Sequence, residues 1–249
     1  MIHKDIDYHC TNCGMKVKSL YKKYSETVLK LTQCECCNEV ADKYVEYDVV
    51  IIIIDLILLK TKAYRHILLN TKFQNFWKLS LLLILLESYC NWSVVTRYCH
   101  YNCNKINKTE PSLNDFDMNI EDLRFYIVFL NIAIGYGSSI LLTDFLTTIF
   151  KMYIANGNIT TSFMLILKTI TLASNGVFLQ LPSVIWDISL YNYHLHFVTL
   201  YTCLSQLLAY RAITGSPKSW CLLVIFSSNL LKTSVNTYLN TLFKYYFFL

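Results

Sequence analysis

Four cysteines near the N-terminus have the types and the spacing of a metal site. Cys10 and Cys13 form one C-x2-C pair, and Cys34 and Cys37 form a second pair after twenty intervening residues. Two such pairs are typical of zinc sites, because each short turn presents two sulfurs to one ion and four thiolates complete its tetrahedral shell. Four protein ligands leave no open coordination position, so the pattern predicts a structural zinc ion and not a catalytic one.

Two details of the cysteine pattern leave alternatives open. Cys36 could replace Cys37 in a shorter second pair, although Cys34 with Cys37 repeats the spacing of the first pair. Disulfides or free thiols are the other interpretation, and a reducing cytosol disfavours disulfides. His9 adjoins Cys10 but is superfluous once four thiolates are counted. Zinc is therefore the predicted cofactor.

The segment that carries the cysteines, residues 1–47, is polar and too short to bury a sizeable core. Domains this small usually need a metal or disulfides to fold. Alternating residues around Val17–Tyr21 and Val28–Thr32 predict short strands. We therefore expect a cytosolic zinc ribbon, in which the metal supplies the folding free energy that the core cannot.

An apolar run follows at Val49–Leu59, interrupted by Asp55 and too short to span a bilayer. On a continuous helix, Asp48, Asp55 and Lys62 would share one polar seam, with Ile and Leu opposite. This pattern predicts an amphipathic helix in the cytosolic leaflet, within an interfacial segment over residues 48–72. A buried core helix of a soluble domain is the alternative interpretation.

Long apolar segments dominate the remainder of the chain, residues 73–249. The whole chain is 54% hydrophobic and 16% charged, whereas soluble domains are about 45–50% apolar and about 25% charged. We therefore predict an α-helical multi-pass membrane domain with four or five spans. The last span is the weakest, because Ser227, Asn229 and Lys232 interrupt it. The predicted spans lie at about 76–95, 124–150, 161–186, 195–213 and 220–240.

The positions of lysine and arginine predict a cytosolic N-terminus. Of 22 such residues, 12 lie between Lys4 and Lys78, before most of the first predicted span. The loop at Asp187–His194, which would be lumenal, contains none. Asn107 is then a possible glycosylation site in a lumenal loop, whereas the sequon at Asn158 would face the cytosol.

Motifs on both sides of the aliphatic run resemble the Arv homology domain of the Arv family of endoplasmic-reticulum membrane proteins. The resemblance covers about residues 8–72, with the cysteine pairs, the acidic-aromatic segment 42–48 and the Tyr-Arg-His segment 63–70 in order. Family members often carry proline where this chain has Val49. The polar residues of these segments would form a contact surface: Asp42, Lys43, Tyr44, Glu46, Tyr47, Asp48, Tyr64, Arg65, His66 and Asn70.

A structural role is the other interpretation of this surface: Tyr44 and Tyr47 would pack the ribbon, and Arg65 would reach lipid phosphate. The resemblance itself implies a non-enzymatic role in sterol homeostasis and in lipid transport and distribution from the endoplasmic reticulum. It also implies effects on sphingolipid metabolism and on glycosylphosphatidylinositol-anchor assembly. Membrane lipids and sterols are the implied partners, with other endoplasmic-reticulum proteins of lipid or anchor synthesis as further candidates.

A lipid-modifying enzyme and a nucleic-acid-binding protein are the two alternative classes of function. A lipid-modifying membrane enzyme would use ionisable residues at membrane depth, but those in this chain show no motif spacing. Nucleic-acid binding by the ribbon is disfavoured by tethering to a membrane, and a solvated charged face explains its lysines. The enzyme candidates are Glu87, Asp144, Lys168 and Asp187, and the lysines are Lys16, Lys18, Lys22 and Lys23. We therefore expect no catalytic residues and no nucleic-acid partner.

Overall fold

A computed structural model describes residues 8–25, 29–106, 115–153, 161–185 and 192–247, and these are mostly helical. The described residues of 8–47 form a small N-terminal unit, here called the head. It contains two antiparallel β-hairpins whose strands are two or three residues long. Strand β1 (Tyr8–His9) pairs with β2 (Lys16–Val17), and β3 (Tyr21–Lys23) pairs with β4 (Leu29–Leu31). The strand predicted at Val17–Tyr21 is thus two strand ends with a turn between them.

The segment after the head is a helical hairpin and not one helix. A 3-10 helix at Lys43–Glu46 leads into α1 (Val49–Ile57), which is followed by α2 (Thr61–Arg65) and a π-helical turn at His66–Asn70. Leu59 has a φ of 57°, in the left-handed region, and it reverses the chain between the two helices.

The predicted polar seam is wrong. Helix α1 ends at Ile57, before Lys62, because the backbone closes a Schellman turn there. The N–H of Leu59 donates to the Leu56 carbonyl at 3.0 Å, and the N–H of Lys60 donates to the Asp55 carbonyl at 3.0 Å. Asp55 points inward and is 6% exposed, while the aliphatic side of α1 faces outward.

Five long helical segments follow the hairpin, and they coincide with the five predicted spans. They are α3 (Phe76–Ile106), α4 (Asp115–Tyr153), α5 (Phe163–Ala173) continuing through a 3-10 helix (Ser174–Gln180) into α6 (Leu181–Ile185), α7 (Asn192–Thr214) and α8 (Lys218–Phe247). By length and composition, two stretches of the described residues could cross a membrane, Asp122–Tyr153 and Phe163–Gln180. Membrane crossing by all five helical segments stays a prediction.

The described helices bury polar as well as apolar side chains, and they expose many large apolar ones. On α4, Asn131 is 2% exposed, and Thr143 and Thr147 are each 1% exposed. The Thr147 hydroxyl lies 2.9 Å from the Tyr210 hydroxyl on α7. Extended apolar surface of this kind is unusual on a soluble monomer. The apolar residues that α4 exposes include Leu130, Ile134, Leu141 and Phe145.

One hydrophobic cluster joins the head and the hairpin to the long helices. Tyr44 from the 3-10 helix packs in it with side chains from α1, α2, α5 and α7. The other buried members are Ile52, Leu56, Ala63, Tyr64, Leu68, Leu172, Ala173, Ala209 and Ala212. The head is therefore held on the helices by shared packing as well as by the chain connection.

Candidate metal centre and the contacts that hold it

The two cysteine pairs lie on turns with the same backbone conformation. The residue after each second cysteine has a positive φ: 84° at Gly14 and 56° at Asn38. The N–H of Gly14 donates to the Cys10 carbonyl, and the N–H of Asn38 donates to the Cys34 carbonyl, both at 2.9 Å. Glycine and asparagine are the residues that adopt this conformation most readily. Each turn thus points two sulfurs toward the other turn.

The four sulfurs fit a single tetrahedral ion. The Sγ atoms of Cys10 and Cys37 lie 3.8 Å apart, and those of Cys13 and Cys34 lie 3.6 Å apart. All four Sγ atoms lie within 4.8 Å of one another. A zinc–sulfur bond of about 2.3 Å in tetrahedral geometry requires sulfurs about 3.8 Å apart, so these cysteines could hold a metal ion.

The second pair uses Cys37 and not Cys36. Cys37 belongs to the group of four close sulfurs, whereas Cys36 lies outside it and is exposed. The turn that repeats the first pair's hydrogen bond also begins at Cys34 and closes at Asn38. The geometry therefore favours Cys37 over the alternative pairing that the sequence left open.

The thiols of the cluster differ in acidity. Backbone N–H groups of Cys37 and Cys36 donate to the Cys34 sulfur and lower the pKa of that thiol to about 7. Desolvation of the sulfur raises the pKa of Cys13 to about 12, and hydrogen bonds with the thiols of Cys34, Cys10 and Cys37 add to that rise. A divalent ion bound here would displace the remaining thiol protons.

Arg65 connects the first cysteine turn to α7. Its Nη1 donates to the carbonyl oxygens of Thr11 at 3.2 Å and Asn12 at 2.6 Å. Its Nε donates to the carbonyl oxygen of Ala212, near the end of α7, at 3.3 Å. Burial lowers the pKa of Arg65, and the charge of the Cys13 and Cys10 sulfurs opposes that shift. The guanidinium therefore joins the metal turn to a long helix, and it does not reach outward to phosphate.

Asp42 is the centre of a second set of contacts. Its carboxylate is fully buried and accepts from the backbone N–H of Tyr44 at 3.0 Å. Its Oδ2 lies 2.7 Å from His66 Nδ1 and accepts from Asn70 Nδ2 at 2.7 Å. Asn70 also pairs with both backbone groups of His9, at 2.9 and 2.8 Å. The π-helical turn is thereby fastened to the strand that leads into Cys10.

A third contact fastens the 3-10 helix to α1. The Tyr44 hydroxyl donates to Asp55 Oδ2 at 2.9 Å, and Lys60 Nζ donates to Asp55 Oδ1 at 2.7 Å. The Lys43 ammonium lies 5.3 Å from the centroid of the Tyr44 ring, within cation–π range. The Asp55 carboxylate, which interrupts the aliphatic run, is thus paired on the side that faces the head.

The ten residues predicted as a contact surface divide into three groups by burial. Asp42, Tyr44, Tyr64 and His66 are buried and contact other parts of the chain. Lys43, Arg65 and Asn70 are half-buried. Glu46, Tyr47 and Asp48 are exposed on one segment beside the start of α1. A contact role for the whole set stays a prediction. The hydrogen bonds that link Asp42 to His66 and Asn70 were missed, although the concentration of polar residues in two otherwise apolar segments was a signal for them.

The ionisable residues considered for catalysis have separate surroundings. Glu87 on α3 forms an ion pair with Lys232 on α8, with Nζ–O distances of 2.7 and 2.9 Å. The Lys168 ammonium lies 5.5 Å from the centroid of the Phe76 ring. Asp144 is half-buried on α4. Asp187 and the glycosylation candidate Asn107 lie outside the described residues.

Comparison with known proteins agrees with these motifs. The model of the Arv1-like family matches residues 9–210. The chain belongs to the Arv1-like family. It is 32% identical to Protein ARV1 of Mus musculus over 92% of this chain and 82% of that protein. It is 31% identical to Protein ARV1 of Homo sapiens over 91% of this chain and 79% of that protein.

Identity is higher over a shorter stretch in a plant relative. Protein ARV 2 of Arabidopsis thaliana is 52% identical over 87 residues, which is 32% of this chain and 38% of that protein. No solved structure matches the chain. Membership of the family fits a role in sterol or lipid homeostasis.

Proposed function

We propose that this chain is a non-enzymatic membrane protein of the endoplasmic reticulum that acts in sterol homeostasis and in the transport and distribution of lipid. Its partners would be membrane lipids and sterols, together with proteins of lipid or glycosylphosphatidylinositol-anchor synthesis. Effects on sphingolipid metabolism would follow from the same activity. The observation that carries the proposal is a head with four convergent thiols, fastened by Asp42 and Arg65 to helices that expose apolar surface.

Zinc is the proposed occupant of the thiol cluster. Cys10, Cys13, Cys34 and Cys37 would hold it, and it would act as a structural ion that orders the head. The match between the sulfur separations and zinc–thiolate geometry supports this choice. Arg65, whose guanidinium lies against the first turn, would offset the net negative charge of four thiolates on one divalent ion.

The proposed topology is multi-pass with a cytosolic head. The exposed apolar and buried polar side chains of α4 support placement of the long helices in lipid. In lipid, polar groups must be satisfied within the protein, and the Thr147–Tyr210 hydrogen bond between α4 and α7 is of that kind. The excess of lysine and arginine before the first span supports the orientation.

No catalytic role is proposed for Glu87, because its carboxylate is already paired with Lys232. An ion pair between α3 and α8 has a structural use, since it fixes two helices relative to each other where few other charges compete. The exposed residues Glu46, Tyr47 and Asp48 remain the proposed site of contact with lipid headgroups or partner proteins.

Complementation tests this function. Cells that lack their own Arv1-like protein would receive the wild-type chain, Cys34→Ser or Cys36→Ser, and the sterol content of plasma membrane and endoplasmic reticulum would be measured. The wild-type chain and Cys36→Ser should restore the normal distribution, and Cys34→Ser should not. A wild-type chain that is well expressed in the endoplasmic reticulum yet leaves the sterol distribution unchanged would refute the proposal.

A further inference from the structure

Helix α1 presents an almost wholly aliphatic outer face. Six apolar side chains of α1, and that of Leu58 directly after it, are between 44% and 69% exposed. Such a continuous exposed patch marks an interaction site. The seven residues are Val49, Val50, Ile51, Ile53, Ile54, Ile57 and Leu58.

The inner face of the hairpin packs deep against α5. Leu56 and Tyr64 share a cluster with Leu172 and Ala173. The apolar stretch that could cross a membrane begins just after Ser162, and Leu172 follows Ser162 by ten residues. At 1.5 Å of rise per residue, this contact lies about 15 Å along the helix, which is about half of the hydrocarbon thickness.

Three contacts along α7 give the direction of the hairpin. The Tyr201 hydroxyl contacts the Ile57 carbonyl, Ser205 contacts the Tyr64 hydroxyl, and Ala212 contacts Arg65. Tyr201 and Ala212 are eleven residues apart, or about 16 Å along a helix. The end of α1 therefore lies about 16 Å farther along α7 than the Arg65 contact with Ala212, and α2 with its π-helical turn leads back toward that contact.

The last four backbone carbonyls of α1 all accept hydrogen bonds from other groups of the protein. The Ile57 carbonyl accepts from the Tyr201 hydroxyl at 2.7 Å, and the Leu56 carbonyl accepts from the Tyr64 hydroxyl at 3.3 Å. The carbonyls of Ile54 and Asp55 accept from backbone N–H groups of the turn. The last carbonyls of a helix normally bind water or a cap, but an element within lipid needs donors from the protein.

Two of the three charged groups near this end, Asp55 and Lys60, are paired with each other, whereas Lys62 on α2 is exposed. Asp55 is turned into the protein, where Tyr44 and Lys60 donate to its two oxygens. Lys60 follows the turn, and its ammonium points back along α1 to Asp55 instead of outward. Ionisable residues within a bilayer are tolerated when they are paired in this way.

We propose that residues 49–70 form a re-entrant hairpin, which enters the hydrocarbon layer from the side of the head, turns at Leu59 and returns. The partner of the outer face of α1 is the acyl-chain region of the bilayer and not its headgroups. The inference rests on the proposed membrane function, because it requires lipid around α5 and α7. It replaces the predicted helix lying flat in the leaflet.

Tryptophan fluorescence measures the depth. The four native tryptophans would be replaced by Phe in the full-length, zinc-loaded protein in liposomes, and a single tryptophan would be introduced by Leu58→Trp, Val50→Trp or Tyr24→Trp. Lipids brominated at mid-chain should quench Leu58→Trp at least about twofold more than lipids brominated near the headgroup, since its depth is about half of the hydrocarbon layer. Tyr24→Trp, in the exposed head, should be quenched by aqueous iodide and by neither lipid.

A second substitution tests the cap itself. Tyr201→Phe removes the donor to Ile57, so the Leu58→Trp signal should become less sensitive to mid-chain bromine and more sensitive to headgroup bromine. Thr199→Ala is the matched control, because the Thr199 hydroxyl donates only within α7, to Leu195. It should leave the quenching pattern unchanged.

The outcomes separate the inference from the function on which it rests. Equal quenching of Leu58→Trp and Val50→Trp by headgroup-brominated lipid would place α1 flat on the surface and overturn the hairpin, while leaving membrane attachment intact. Iodide quenching of Leu58→Trp as strong as that of Tyr24→Trp, with none by lipid, would overturn both.

Photocrosslinking provides the same test on the unaltered chain if the tryptophan-free variant does not fold. A lipid with a diazirine at the end of its acyl chain should label residues 49–58 as well as the exposed face of α4 near Leu141 and Phe145. Labelling of α4 without labelling of residues 49–58 would overturn the re-entrant hairpin.

Discussion

The head and the long helices are stabilised in different ways. In the head, the most deeply buried side chains include Cys10, Cys34 and the polar Asp42, and its strands are only a few residues long. In the long helices, polar groups such as Asn131 and Thr143 are buried together with apolar ones, while further large apolar groups face outward. The comparison supports the proposal of one chain adapted to two solvents: an ion would order the head, whose core is small, and lipid would cover the apolar surface of the helices.

The hairpin between them is the connection that lets the two regions act as one body. Its hydrogen bonds to the head come from His66 and Asn70, and its packing on the helices comes from Leu56 and Tyr64. Loss of the proposed metal ion should therefore perturb the contacts between the head and residues 49–70 first. The following substitutions separate the head, the junction and the helices in order of expected effect.

Cys13→Ser should produce the largest effect. A structural zinc site contributes about 10–16 kcal/mol of apparent binding free energy, so loss of one ligand should unfold the head while the long helices still insert. Limited proteolysis in liposomes measures the unfolding of the head and the insertion of the helices, and metal analysis measures the loss of the ion. Cys36→Ser is the matched control, because Cys36 is exposed and outside the cluster. A protease-resistant head in Cys13→Ser would show that the metal is not what orders it.

Asp42→Ala should weaken the contacts between the head and residues 49–70 by about 3 kcal/mol, the upper end of the cost of leaving buried donors without their acceptor. His66 and Asn70 lose their shared acceptor, so hydrogen exchange should increase in β1 and the π-helical turn while the metal is retained. Asp48→Ala is the control, since Asp48 is exposed and makes no side-chain cap to α1. Simultaneous loss of metal would mean that the cluster and the junction cannot be separated.

Gly135→Ala should perturb the long helices alone. A Cβ at Gly135 on α4 would fall on the side-chain amide of Asn236 on α8, whereas a Cβ at Gly137 meets nothing. We expect a loss of about 1–3 kcal/mol for this overpacking, measured by thermal unfolding in detergent, and none for Gly137→Ala. Adding Asn236→Ala should restore much of the stability. Failure of that rescue would place the helices elsewhere than described.

Leu59→Gly should produce the smallest effect, and in the stabilising direction. Leu59 adopts a left-handed conformation, which costs a non-glycine residue about 1–2 kcal/mol, and the flexibility of glycine in the unfolded chain offsets about half of that gain. Unfolding should therefore become harder by about 0.5–1 kcal/mol. Asn38→Gly is a useful comparison, because asparagine already tolerates its positive φ. A destabilised Leu59→Gly would mean that the Leu59 side chain matters more than its backbone.

The sequence predicted what depends on local spacing. The C-x2-C pairs identified the four convergent sulfurs, and the apolar runs identified the long helices. The Leu59 turn was not predicted, because nothing in a Leu-Leu-Lys sequence favours a left-handed residue. The contacts of Arg65 and Asp42 were not predicted either. Each of them joins segments that are distant in the chain and that meet only in the folded protein. For the same reason Asp55 was wrongly predicted to lie on a polar seam with Asp48 and Lys62, whereas its side chain points inward.

The central claim, that one zinc ion orders the head through four thiolates, is tested most directly by metal analysis of the purified full-length chain. Wild type and Cys36→Ser should each contain one zinc ion per chain, Cys34→Ser should contain none, and chelation should make the wild-type head protease-sensitive. A wild-type chain whose head is folded and metal-free, or a Cys34→Ser chain that keeps its zinc, would contradict the account.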